Sequence, residues 1–139
     1  MFEKILRYYF FFLCIVIASC TPKPVIQIPD DLENSLGNRY SDYILKLNSA
    51  VKGDTSSLNN LIRYSDLYDG AAYEHGWVLI ELMRKIGDDS FASALKKMNQ
   101  SQLDNVNMYL MGGLDMHKKA DVIPKNFPKS FEMLGYNKK

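Results

Sequence analysis

Residues 32–53 read LENSLGNRYSDYILKLNSAVKG, with apolar side chains at Leu32, Leu36, Tyr40, Ile44, Leu47 and Val51. Each step is three or four residues, which places all six on one stripe of an α-helix; the strict alternation of a half-buried strand is absent. Gly53 is well placed to end that helix, because glycine reaches the left-handed conformation that closes a last turn. The same period returns downstream. Asp54 or Thr55 caps a second helix with Leu58, Leu61 and Ile62 inward and Ser65 at its end, before a turn over residues 66–70. Ala71 or Ala72, His75, Val78 or Leu79, Leu82 and Ile86 mark a third helix, closed by Gly87. Asp88 or Asp89 caps a fourth with Phe91, Leu95 and Met98 inward. Ser101 with Asp104 resembles a capping box opening a fifth, along which Leu103, Val106, Leu110 and Leu114 form one stripe. No stretch combines alternation with β-branched enrichment, so the chain reads as all-α: one small domain over residues 32–116, of about five helices packed as antiparallel pairs.

Upstream, Lys4 and Arg7 outweigh Glu3, and residues 10–18, FFFLCIVIA, form an unbroken apolar run. A membrane-spanning helix needs about 20 apolar residues, and this run has about half that number. The layout is that of a cleavable secretory signal over residues 1–19. At its end, Ile17-Ala18-Ser19-Cys20 resembles the lipobox of bacterial lipoproteins: a branched aliphatic, two small residues and a cysteine. The resemblance covers only the first 20 residues. It implies diacylglycerol on the Cys20 sulfur, cleavage between Ser19 and Cys20, and usually an acyl group such as palmitate on the new amino terminus. One such chain holds a protein only marginally, whereas two or three hold it stably. Thr21, in place of an acidic residue after the cysteine, favours the outer membrane by analogy with lipobox families, which puts the domain in the cell envelope facing the periplasm. Cys14 reads as a small apolar member of the run.

Removing residues 1–19 takes Lys4, Arg7 and Glu3 from a chain with 17 basic and 16 acidic side chains, leaving the two signs equal. A neutral domain is a poor nucleic-acid binder, which disfavours that class of partner. Cys20 is the only cysteine left, so no disulfide is available and packing alone must stabilise the fold. Residues 20–31 hold three prolines and read as an extended tether behind the lipidated cysteine, long enough to hold the domain some tens of ångströms from the lipid surface. Residues 117–139 are locally basic, with Lys118, Lys119, Lys125, Lys129, Lys138 and Lys139 against Asp121 and Glu132. Pro124 and Pro128 interrupt that segment, and Phe127, Phe131, Met133 and Leu134 suggest a short helix or loop laid back on the domain. Its scattered lysines fit a solvated tail better than a headgroup-binding cluster.

Gly53-Asp54 and Gly87-Asp88 stand 34 residues apart, with Ser56 and Ser90, and Leu61 and Leu95, at the same offset. That period resembles helix-turn-helix repeats of the tetratricopeptide type, although the Trp, Gly and Tyr positions of that consensus are missing. A glycine that ends one helix followed by an aspartate that caps the next accounts for the pattern equally well.

Chemistry requires converging groups, and few stand out. Glu74-His75 and Asp115-Met116-His117 are the histidine neighbourhoods, and neither spaces two histidines for a helix-borne zinc site; no metal and no cofactor is expected. No nucleophile-elbow motif is present, so no catalytic residues are assigned and the chain reads as a non-enzyme. His75, near the apolar stripe, reads as packed and hydrogen-bonded. Asp30-Asp31 and Asp88-Asp89 sit at helix starts, where the macrodipole accounts for them. The unusual feature is aromatic content. Tyr68, Tyr73 and Trp77 cluster around the 66–76 turn, and Tyr and Trp are common interface anchors, so these three form the candidate partner contact. The leading expectation is a lipid-anchored helical protein-interaction module of the envelope, its protein partner unidentified. The alternatives are an immunity or inhibitor lipoprotein neutralising an antibacterial toxin, and an envelope enzyme whose site is not visible in the spacing.

Overall fold

The computed structural model describes residues 22–118 and 120–136. The expected signal over residues 1–19, the expected cleavage between Ser19 and Cys20 and the expected lipidation of Cys20 therefore lie outside the described residues. The chain is all-α, as the periodicity predicts, and among the described residues no strand is present. In chain order the helices are α1 (Asp30–Leu36), a 3-10 turn (Gly37–Arg39), α2 (Tyr40–Val51), α3 (Thr55–Ile62), α4 (Asp69–Ile86), α5 (Asp88–Leu95), α6 (Gln100–Asp115), α7 (Ile123–Asn126) and α8 (Pro128–Met133). The single helix expected over residues 32–51 is broken at Gly37. This glycine takes φ 51°, and its N–H bonds back to Glu33. The apolar spacing runs unbroken across the break because the 3-10 turn advances the chain by about one helical turn in three residues.

Expected helix starts are corrected at three places, and at α5 neither Asp88 nor Asp89 is the cap: Gly87 holds that position with no side-chain bond, and the Asp88 carboxylate is turned to Lys129 and Ser130. The box that opens α6 is built from Asn99 and Gln102 rather than Ser101 and Asp104: the Asn99 carboxamide accepts from the Gln102 N–H at 3.0 Å, and Gln102 reaches back to the Asn99 N–H at 3.1 Å. Asp104 instead accepts from the Gln100 side chain. At the third helix the start moves forward, so that Asp69 rather than Ala71 or Ala72 is the first residue.

Leu32, Leu36, Tyr43, Ile44, Leu47, Leu58, Leu61, Ile62, Val78, Leu79, Leu82, Phe91, Leu95, Val106, Tyr109 and Leu110 are all buried in one core. Each large aliphatic side chain so removed from water contributes about 1.5–3 kcal/mol before conformational entropy is charged against it. Consecutive short helices pair antiparallel: Tyr43, at the start of α2, meets Tyr64, just past the end of α3, with ring centroids 5.5 Å apart. The principal interface joins two helices that are not consecutive. Along α4 and α6 the matched positions rise together, His75 with Tyr109, Gly76 with Gly113 and Trp77 with His117, so these two long helices run in the same direction. They cross in direct backbone contact. A methyl group at Gly76 would overlap the Tyr109 carbonyl, and one at Gly113 would overlap the Gly76 and Trp77 backbone. Glycine within a helix weakens it by about 1 kcal/mol relative to alanine, and here the close approach explains its presence.

The proline-rich stretch is not a free tether over its described length. Asn48 of α2 clasps it, donating to the Lys23 carbonyl at 2.9 Å and accepting from the Val25 N–H at 3.0 Å. Ile26 and Ile28 point into the core while Val25 and Gln27 face solvent, a period of two that lays the strand-like segment on the bundle. The carboxyl-terminal segment also packs down, with Ile123 and Phe131 buried. Both of its prolines occupy first-turn positions of α7 and α8, where a missing N–H costs nothing.

Candidate functional site

The three aromatic residues singled out by sequence do not share one surface. Tyr68 and Tyr73 are 74 % and 56 % exposed and line a cleft of about 440 Å³ together with Ser65, Asp66, Leu67, Asp69, Ala72, Asn105, Met108 and Tyr109. Trp77, one turn further along α4, is half-buried and stacks on His117, with ring centroids 5.8 Å apart and planes 11° from parallel. Sequence reasoning missed Met108, which is 52 % exposed on α6 and flanks the cleft. Its signal was available: Met108 lies on the side of the helix opposite the stripe of Leu103, Val106, Leu110 and Leu114.

The cleft exists because the loop from α3 to α4 turns sharply. Asp66 and Asp69 take φ 64° and 50°, in the left-handed region where side chains other than glycine, asparagine and aspartate are rarely found. The Tyr73 ring lies against Gly112, and a methyl group there would overlap it, so the glycine seats this exposed ring on α6. Beneath the cleft, burial raises the Tyr109 hydroxyl above the usual phenol range; hydrogen bonds to Asn105 and to the Leu67 backbone oppose the rise, and the nearby Asp66 carboxylate and Tyr68 add to it.

Below that floor lies a buried aromatic box. His75 is fully enclosed, edge-on to Tyr109 at 5.0 Å and beside Tyr43 and Tyr64 at 5.8 Å. Its Nδ1 shares a hydrogen bond of 2.8 Å with the Tyr43 hydroxyl, which makes it a packed and bonded histidine, as its place on the stripe predicts. Nε2 has no well-formed partner, and the Leu61 backbone opposes the effect of burial by raising the imidazole. Burial dominates and depresses the imidazole to about 3, so the ring is neutral at physiological pH. The same burial pushes the Tyr43 hydroxyl far above the usual phenol range, with Tyr64 adding to the rise. Neither group is placed for acid-base chemistry on a solute, because neither reaches solvent.

Glu74, the other half of that histidine neighbourhood, caps a helix. Its carboxylate accepts from the Leu32 N–H at 2.6 Å, satisfying a free donor in the first turn of α1 from across the bundle. Around Trp77, burial lowers the His117 imidazole and Arg84 lowers it further, while Glu81, 4.0 Å away, opposes both. Arg84 is itself paired with Glu81. Among the described residues no group of three or more His, Cys, Asp or Glu is arranged to hold a metal ion. Among them, too, no helix is long and apolar enough to cross a membrane.

What the cleft can do chemically is offer two exposed phenol rings, a thioether and two carboxylates to something that fits between them. No family model, curated protein or solved structure matches the chain.

Proposed function

We propose that this protein is a lipid-anchored module of the bacterial cell envelope that binds another protein through the cleft between the 65–69 loop and α6. One observation carries the reading: Tyr68, Tyr73 and Met108, large and mostly apolar side chains that a monomer gains by burying, are exposed together around one cleft. The loop that presents Tyr68 is held in a sparsely populated backbone conformation, a feature that concentrates at binding sites. The anchor in this reading is Cys20, on the strength of the lipobox resemblance. No enzymatic role is assigned, since the polar groups that converge inside the domain are sealed from solvent. An immunity or inhibitor protein would be one case of such a module, distinguished by a toxic partner.

Affinity capture from envelope and secreted fractions, with the full chain as bait in a neutral detergent, tests the contact. One stoichiometric partner, lost on combining Tyr68→Ala with Tyr73→Ala while helicity is unchanged, is the expected result; absence of any partner would overturn the reading. Intact mass tests the anchor. The membrane form should begin at Cys20 and carry lipid, both abolished by Cys20→Ala, and an unmodified full-length wild-type chain would refute it.

A further inference from the structure

We infer that the cleft takes a positively charged side chain, arginine or lysine, presented by the partner protein. This rests on the reading of the cleft as a contact surface and specifies its chemistry. Of the residues lining the cleft, Asp66 and Asp69 are charged and none is basic. Neither aspartate belongs to an ion pair among the described residues, and Asp66 accepts only from the Ser65 hydroxyl, at 3.3 Å. The surroundings extend the same sign. The Asp31 carboxylate lies against Gly70, and Asp104 lines the adjoining groove. Arg63, the basic residue in that groove, is committed to the Lys97 carbonyl at 3.0 Å.

An aromatic wall with a carboxylate rim is complementary to a cation on two counts. The face of a phenol ring attracts a cation through its quadrupole, and a carboxylate forms charge-assisted hydrogen bonds with guanidinium or ammonium. An anionic group would meet unpaired carboxylates, and a purely apolar one would strip their water without replacing it. The fold already uses this pairing elsewhere, since the Arg39 guanidinium lies 5.6 Å from the Tyr64 ring centre. Glycine would occupy either positive-φ position of the loop without strain, yet both carry a carboxylate.

The test uses the full chain, isotopically labelled, in neutral detergent micelles. It is titrated with a short blocked peptide alternating arginine and glycine, and with the matching citrulline peptide, in which a neutral urea of the same shape replaces each guanidinium. The arginine peptide should shift the amide signals of residues 65–73 and 105–109 saturably, and the citrulline peptide should bind at least tenfold more weakly. Asp66→Asn with Asp69→Asn should weaken the arginine peptide by a similar factor, and asparagine tolerates the positive φ so that the loop is kept. Equal binding of the two peptides, no saturable shift, or binding unchanged in the asparagine variant would overturn the inference. A protein partner that is lost on Tyr68→Ala with Tyr73→Ala but kept by the asparagine variant would overturn the charge assignment while leaving the contact surface standing.

Discussion

Acidification should destabilise this domain through His75. In the folded state burial holds the imidazole at about 3, against 6.5 for a free histidine. Between those values the unfolded chain carries a proton that the native ring refuses, so protons favour unfolding and stability falls as the pH falls. The contribution is complete above about 6.5, declines below it, and levels off near 3, where the native ring protonates as well. At 1.36 kcal/mol per pH unit, lowering the pH from 7.5 to 4.5 crosses two units of that window and removes about 2–3 kcal/mol. That is a substantial share of the 5–15 kcal/mol typical of a whole domain. Urea unfolding of the full chain in neutral detergent, followed by far-ultraviolet circular dichroism at both pH values, measures the loss. His75→Gln supplies the comparison, since glutamine can still accept from the Tyr43 hydroxyl but does not titrate. The wild type should lose about 2–3 kcal/mol more than the variant over this range. Parallel losses in the two proteins would show that His75 is not held neutral by burial, and would refute the placement of the aromatic box.

Gly113→Ala should cost about 3 kcal/mol or more by forcing α4 and α6 apart at their crossing, whereas Met108→Ala, on the exposed face of the same helix, should leave the unfolding midpoint within error. Denaturant titration of the two variants reads the contrast. Asp88→Ala should release the end of the chain, because its carboxylate accepts from the Lys129 N–H and the Ser130 N–H at 2.9 Å and from the Ser130 hydroxyl at 2.6 Å. Losing such a cap costs about 1–2 kcal/mol, and limited trypsin digestion should then cut at Lys125 and Lys129 earlier than in the wild type. Asp89→Ala, which removes only an exposed pair with Lys129, should leave the digestion rate unchanged.

How much of this was legible in the sequence divides along the range of the interactions involved. The apolar stripes of α2, α3, α4, α5 and α6 could be read because a helix repeats every 3.6 residues whatever it packs against, and Gly53 and Gly87 could be read because each ends a helix with positive φ. Gly53-Asp54 and Gly87-Asp88 look alike in sequence, yet Asp54 caps its own helix through Ser56 and Ser57, while Asp88 caps α8 some forty residues on. No local pattern reports a partner that distant, and the same is true of Glu74 at the start of α1. The break at Gly37 was hidden by the 3-10 turn, which keeps the stripe in register. Gly76, Gly112 and Gly113 did carry a signal, as glycines inside otherwise helical periods, but which helix they admit is a tertiary fact. At the candidate site Tyr68 and Tyr73 were legible as aromatics at a turn. Their union with Met108, and the separation of Trp77, depend on how α6 lies beside α4.

The Asn48 clasp bears on mechanics. Lipid on Cys20 would stand three residues from the pinned Lys23, roughly 10 Å of fully extended chain. The clasp sits toward the end of α2, near where Ala50 and Val51 adjoin Lys85 and Ile86 at the end of α4. The cleft is at the opposite end of α4, since Tyr73 precedes Ile86 by about 20 Å of helical rise. If Cys20 is lipidated as proposed, so short a stem would keep the clasped end of the bundle close to the lipid and the cleft away from it, leaving the domain little volume to sweep.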